Sequence, residues 1–422
     1  MDKDRAEKKV GELGQAEADG HPRWRVTLYT MWVAQSFSIM GFSFVMPFIP
    51  FYVRELGVSE EGMVAIWSGL LGTGAGLSMA VMGPIWGGVA DRYGRKLMVV
   101  RAMFGGAVVL SVMGLARNVR ELFGLRVLQG GITGTVPASI ALISSVVPKR
   151  RLGFSLGLMQ MAVFSGGSIG PYIGGIVADH FGYRVPFAVT GGLLFVGGML
   201  VLVGVKERFV RPTPEERGAS APVKEVLQIP GLMMLLLVYL LMNLSASFVM
   251  PIFPLFVEEI VGTPARAATE TGLLLGIQGV AAALAAVMVG RLSDHVGHRR
   301  TLITCTVIAG VMSFPHVVAH SVPQLALLRV VFGAAAGGML PAMNAMVAMI
   351  VPRRRLGQAY GFTTTASALG WATGPFLGGL VAAAVGYRIP FVIMGVMLLL
   401  VALAQHRGLR SREKGPLGEG AE

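Results

Sequence analysis

Cysteine is almost absent. The one thiol among 422 residues, Cys305, sits inside an apolar run, which excludes a disulfide framework and leaves the redox compartment unread. Charge is scarce as well, at 14%, against 54% hydrophobic residues and a mean hydropathy of +0.66. That balance excludes an ordinary soluble domain. The chain has no His/Cys cluster at metal-ligand spacing, no nucleophile elbow and no phosphate-cradling loop in a soluble context, so neither a metal site nor an enzyme is expected. The first 23 residues are charged and mixed, without an apolar core, and no cleavable signal peptide is expected there. Lys and Arg outnumber acids 36 to 23, but they sit in short clusters between apolar runs, with no aromatic-basic stripe, so nucleic acid is not a partner.

What is present is a repeat. MPFIPFYV from Met46 returns as MPIFPLFV from Met250, and GVADRYGRK from Gly88 as RLSDHVGHR from Arg291. PKRRLG returns as PRRRLG, GPYIGG as GPFLGG and GYRVPF as GYRIPF, always 203 or 204 residues on. Two tandem apolar halves point to a membrane transporter with its substrate site between them.

A helix crosses the hydrocarbon core in roughly 20 apolar residues. The runs predict twelve spans and an all-α polytopic fold of two six-helix bundles. In the first half they cover 26–53, 63–90, 97–116, 121–147, 153–178 and 184–204; in the second, 231–257, 271–290, 301–319, 323–351, 357–382 and 388–404. The expected organisation is a tail 1–23, a bundle 24–205, a linker 206–228, a bundle 229–404 and a tail 405–422. Of the 36 Lys and Arg residues, 27 fall on the face that carries both tails and the linker. Six (Arg54, Arg117, Arg120, Arg184, Arg266, Arg388) fall on the other face, and three (Arg101, Arg126, Arg329) lie within spans. Positive short loops face the cytoplasm, so both termini are expected there. The linker, charged and with Pro212, Pro214 and Pro222, reads as a flexible joint between two moving domains.

Three motifs carry chemistry. After the second span stand Gly87, Asp91, Arg92, Gly94, Arg95 and Lys96, with Asp294 in the second copy. Gly94 suits a tight turn, and Asp91 could accept hydrogen bonds from a neighbouring helix end, making a latch between the halves that forms and breaks. In the fourth span, Arg126 lies near Gln129 with no membrane carboxylate to pair with. It either aims into an aqueous cavity or snorkels outward near Arg120 and Glu121. Arg329 is its counterpart; Arg101 reads as snorkelling. The fifth span spaces Gly166, Gly170, Pro171, Gly174 and Gly175 for close helix packing, a pattern repeated at Gly374 and Pro375. Gln35, Met31, Phe42, Asn243, Gln278 and Asn344 are the expected cavity lining, and methionine-rich walls tolerate varied ligands.

These motifs resemble those of the major facilitator superfamily, in particular its twelve-helix drug:proton antiporters of the bacterial multidrug-efflux, MdtG-like type. The similarity covers residues 24–404. Gly87, Asp91, Arg92, Gly94, Arg95 and Lys96 match the superfamily's loop signature; Arg126, Gln129 and Gly130 match a motif the family associates with proton coupling; the fifth-span glycines match its antiporter motif. The resemblance implies a bacterial inner-membrane exporter of amphipathic small molecules, a monomer in the lipid bilayer, with no cofactor and the proton gradient as energy source. One departure stands out. Many such antiporters carry an acid in the first helix, and this one has none. Proton carriage is then open to Asp91, to the pair Glu258 and Glu259, or to His316, whose imidazole titrates near neutrality. A lipid or glycolipid translocator and a proton-coupled uptake symporter are the rival expectations.

Overall fold

A computed structural model describes residues 23–148, 151–207, 223–352 and 355–408. Twelve helices among them are long and apolar enough to cross a membrane: α1 Trp24–Glu55, α2 Glu61–Ala90, α3 Arg95–Met113, α4 Val119–Val146, α5 Leu152–Phe181, α6 Val185–Gly204, α7 Leu232–Val261, α8 Pro264–Ser293, α9 His298–Val318, α10 Val322–Ile350, α11 Gln358–Val385 and α12 Ile389–Arg407. In lipid a backbone has no water to bond, so an apolar run of this length closes its hydrogen bonds internally as a helix. The twelve-helix, two-bundle architecture expected from the runs is the one observed.

The boundaries shift for local reasons. α8 begins at Pro264, seven residues ahead of the sequence expectation, because Thr263 and a proline at the first helical position start it well outside the apolar stretch. Both bundles break their first helix at the repeated proline segment. In α1 a 3-10 turn, Met46–Phe48, separates Trp24–Val45 from Ile49–Glu55; in α7, Leu232–Val249 gives way to Phe253–Val261. Pro47, Pro50, Pro251 and Pro254 withhold the N–H groups that a continuous helix needs. α4 is also interrupted, between Ile132 and Thr135, where Gly134 has φ +129°. Gly94 and its counterpart Gly297, at φ +99° and +97°, are the single residues on which α2 turns into α3 and α8 into α9. That geometry is open to glycine and strained for other residues.

The two bundles meet along two seams built from equivalent residues. On one, α5 packs on α8: Gly175 abuts Ala268, Gly272 abuts the Pro171 carbonyl, and Gly279 abuts Ser168. On the other, α11 packs on α2: Gly379 abuts Ala65, Gly69 abuts Pro375, and Gly76 abuts Ala372. Each contact is the other's repeat image, so the seams are related by a pseudo-two-fold axis. The same glycine motif also holds each bundle together. Gly166, Gly170 and Gly174 face Ile39, Met40, Ser43 and Phe44 of α1, and Gly370, Gly374 and Gly378 face α7.

Candidate functional site

All these seams lie toward the face opposite the termini. There, polar side chains bridge the bundles. Arg54, at the end of α1, donates to Glu258 of α7, and also to Glu61 of α2 at 2.6 Å. The Tyr387 hydroxyl donates to Glu61 at 2.6 Å, the Thr269 N–H to Asp179 at 2.8 Å, and the Phe376 N–H to Thr73 Oγ1 at 3.3 Å. Beside this gate lies a cavity of about 630 Å³ lined by Arg54, Glu61, Leu255, Glu258 and Tyr387 among others. Flanking it, Arg184 pairs with Glu55 at 2.8 Å and Arg388 with Glu259 at 3.0 Å, each inside its own bundle and each the repeat image of the other. Burial pushes the Tyr183 phenol up to about 12, helped by the charges of Asp179 and Glu258. Burial, with Glu61 as its partner, raises Tyr387 as well. Both phenols stay neutral at ordinary pH, and that of Tyr387 keeps its proton for Glu61.

Toward the termini, the same helices part. Gly83, Gly87 and Gly88 of α2, Gly153 and Gly157 of α5, Gly290 of α8 and Gly361 of α11 have no atom within 4 Å of where a side chain would begin. The molecule is closed at the far face and open at the face of the termini.

The expected latch at Asp91 and Asp294 falls on side chains outside those described. Its neighbours engage their own bundle. Glu207 accepts from the backbone N–H groups of Arg95 and Lys96 at 3.0 and 2.8 Å, Arg95 donates to the Ala141 carbonyl, and Lys96 to that of Leu202. Arg92 is exposed.

Arg126 does not face an open cavity and does not snorkel. It is buried, and its guanidinium donates to Gln129 one turn on, which in turn donates to Thr133 Oγ1 at 3.2 Å. Arg329 is buried too, bonded to Gln278 at 3.0 Å and lying 3.7 Å above the Phe253 ring. The difference follows from two exchanges between the repeats. Gln278 occupies the position of Ala75, and Phe332 that of Gln129, so one arginine finds its acceptor on its own helix and the other on its neighbour. Arg101 lies over the Trp86 indole at 3.5 Å instead of reaching out to water. His316 is fully buried within the second bundle; its ring stacks on Phe391 and contacts the Met312 carbonyl through Nδ1.

Of the expected lining, Met31 and Gln35 are buried inside the first bundle, where Ser139 donates to Gln35 at 2.7 Å. Which helix face turns inward depends on packing, and the sequence pattern there does not specify it. Phe42 packs against an apolar cluster to which both bundles contribute, the second through Ile252, Leu255 and Ala268. Asn243 and Asn344 are half-buried, and each bonds a different end of Tyr239: its hydroxyl donates to Asn344 Oδ1 at 2.6 Å, and Asn243 Nδ2 donates to its carbonyl at 2.7 Å and to Ser367 at 3.2 Å.

Sequence reasoning passed over Arg54, Glu61, Asp179 and Tyr387. A signal existed. Arg54 and Glu258 are repeat counterparts of opposite charge, and a pseudo-two-fold axis brings equivalent positions near it face to face.

The sequence model of the Major Facilitator Superfamily matches residues 31–268 and 235–419. The chain is similar to the multidrug resistance protein MdtG of Salmonella paratyphi B and to that of Salmonella typhimurium, each 33% identical over 390 residues, covering 92% of this chain and 96% of the relative. Among solved structures, it resembles a bacterial homolog of the human lysosomal transporter Spinster in an inward-facing, occupied conformation (TM-score 0.77, 16% identity, 94% and 99% of the two chains). It also resembles the human organic anion transporter MFSD10 (TM-score 0.68, 16% identity, 91% and 100%). At those identities the likeness is one of fold. From the motifs, the paired bundles and these matches together, the chain belongs to the major facilitator superfamily, a family of secondary transporters and not of enzymes, and is a multi-pass membrane transporter.

Proposed function

We propose that the protein exports amphipathic small molecules from the bacterial cytoplasm in exchange for protons, by alternating access. The observation that carries this reading is the asymmetry of the two faces: polar and glycine contacts seal the bundles at the far face, and the same helices stand apart at the face of the termini. With both termini cytoplasmic, as the distribution of positive charge supports, this is the state that loads substrate from inside the cell. Rocking the bundles about the central cavity would break the Arg54–Glu258 contact and close the glycine-lined ends near Gly87 and Gly290. The similarity to multidrug resistance proteins supports export of varied compounds. Glu61, Glu258 and Asp179 are carboxylates at the far gate, where a proton entering from outside would first meet the protein.

The test uses everted vesicles acidified inside, a fluorescent pH reporter and a panel of amphipaths. A transported compound is expected to release protons, and the release is expected to fail in Arg126→Ala and Asp91→Asn proteins that insert normally. Substrate-independent proton retention across the panel would sink the exchange reading. Inward movement of substrate along with protons would instead favour an uptake symporter.

A second reading, translocation of a lipid or glycolipid, draws on one feature. A groove of about 750 Å³ runs along α8 between α5 and α10, walled by Ile169, Tyr172, Leu273, Val280, Leu284 and Met288. Acceleration of fluorescent-lipid flipping by purified protein in liposomes would favour it.

A further inference from the structure

The groove along α8 has no charged residue in its wall. Its most open members, Leu284 and Met288, are 63% and 71% exposed, and Leu273, Ile277 and Val280 continue the same apolar stripe at helical spacing. A wall of this kind faces hydrocarbon. The first bundle fills the corresponding place with rings. There Phe123 lies against Gly74, and Trp86 donates to the Gly131 carbonyl at 2.6 Å. Counting 203 residues on, Ala326 stands for Phe123 and Val289 for Trp86, while Ile277 and Ala334 stand for the two glycines. Two aromatic rings are exchanged for alanine and valine, and the space they would fill is the groove.

The two ends of the stripe differ in charge. One turn beyond Met288, toward the termini, stands Arg291, exposed and without a bonded partner among the described residues. The first copy has Gly88 there, so the cation is not a feature of the repeat. α5 starts at the same face from Arg151, also exposed. At the opposite end the first charge is an acid, Glu270, one turn before Leu273. From Arg291 to Ala281 the helix rises about 15 Å, half of a hydrocarbon core roughly 30 Å thick. The stretch thus matches the depth of one leaflet.

We propose that this groove holds the acyl chain of an anionic phospholipid from the leaflet on the side of the termini, with the lipid phosphate on the Arg291 guanidinium. The tail covers Met288, Leu284 and Ala281 as far as the midplane. At the headgroup level the guanidinium offers a phosphate paired N–H donors and a full charge. A zwitterionic lipid brings its own ammonium group, which offsets that attraction. In the opposite leaflet Glu270 repels an anionic head, so the site selects by leaflet as well as by charge. The lipid of this site stays bound and is not cargo, so the site stands whichever transport reading holds.

The experiment measures which lipid tail sits beside the groove of the full-length protein in phosphatidylcholine nanodiscs. In a Cys305→Ala background, Val287→Cys places a bimane fluorophore next to Leu284 and Met288 without replacing a wall residue. Phosphatidylglycerol or phosphatidylcholine with brominated tails, at the same low mole fraction, then quenches it. The brominated phosphatidylglycerol is expected to act as though enriched about fivefold, the scale of one basic residue meeting an anionic headgroup. Val196→Cys, on an exposed stretch of α6, is the control and should be quenched equally by both lipids. Arg291→Gln should bring the Val287→Cys site to the same equality, and Arg291→Lys, which keeps the charge, should retain most of the excess. Ala281→Phe, which fills the groove at mid-depth, should remove the excess with Arg291 intact. Equal quenching by both lipids beside the groove, an excess of the same size at the control site, or an excess that survives Arg291→Gln or Ala281→Phe overturns the proposal.

Discussion

Replacing Glu258 by glutamine tests whether the far gate is held by charge. The substitution keeps an acceptor opposite Arg54 and removes the negative charge. The two side chains are 14% and 27% exposed, so the pair lies between the surface and interior regimes. Hydrogen bonds to charged groups contribute about 1.5–3 kcal/mol. Two features lower the loss here: the rim is partly screened by water, and Glu61 retains the other side of the same guanidinium. The closed state should lose about 1–2 kcal/mol, which multiplies the far-open population roughly fivefold to thirtyfold. The chain's single cysteine makes the assay clean. In a Cys305→Ala background, Leu255→Cys places one thiol where the side chain is 1% exposed beside the gate, between the bundles. A membrane-impermeant maleimide added from outside intact cells should label it faster by that factor once Glu258→Gln is added, and Arg54→Gln should act in the same direction. Identical labelling rates with and without Glu258 would refute the idea that this ion pair closes the far face.

The remaining expectations concern packing and pH. Gly174→Ala would put a methyl carbon 2.6 Å from the Phe44 Cα, and should lower stability by about 1–3 kcal/mol, read as a fall in melting temperature in detergent. Gly153→Ala, with nothing within 4 Å, should leave melting unchanged or raise it slightly. Arg329→Lys should destabilise the second bundle by about 1–2 kcal/mol, because an ammonium cannot both lie flat on the Phe253 ring and reach Gln278; a thermal melt equal to the parent's would contradict that account. For Tyr387 the sign follows from its raised value: the neutral phenol is the favoured form, so its contribution is intact below the ordinary tyrosine value of about 10 and is lost only as pH rises through the raised one. Tyr387→Phe should thus speed Leu255→Cys labelling equally at about pH 6.5 and pH 8.5, on the same tyrosine scale.

Much of the fold is legible in the order of residues because lipid leaves a chain few choices. Runs of apolar residues become helices since no other local structure satisfies the backbone, and a repeat offset of 203 or 204 residues makes two bundles of them. The glycines that turn α2 into α3 and α8 into α9 act through their own backbone chemistry and were legible, whereas the expected spans 26–53 and 231–257 ran unbroken through the prolines at which α1 and α7 divide. The glycine motif of α5 was legible as a packing face. That it touches α1 on one side and α8 of the other bundle on the next required the assembled helices.

The site was less legible, and the reason differs by residue. Arg126 was read as a group in need of an outside partner, yet an acceptor stood three residues away on its own helix. Sequence spacing permits that contact but does not choose it over a water-filled cavity. Met31 and Gln35 lie on a helix that is apolar almost all round, so its pattern cannot say which face turns to the cavity. The far gate joins Arg54 to Glu258 across 204 residues and Tyr387 to Glu61 across 326, separations over which no local rule operates. By itself the sequence determined the helices, their number, their pairing into two equivalent bundles and the glycine turns after the second helix of each, because these follow from backbone hydrogen bonding and local geometry. Only the tertiary structure decided which acceptor each buried arginine reaches and where the bundles touch, because those outcomes depend on which of many competing partners the packed helices bring within reach.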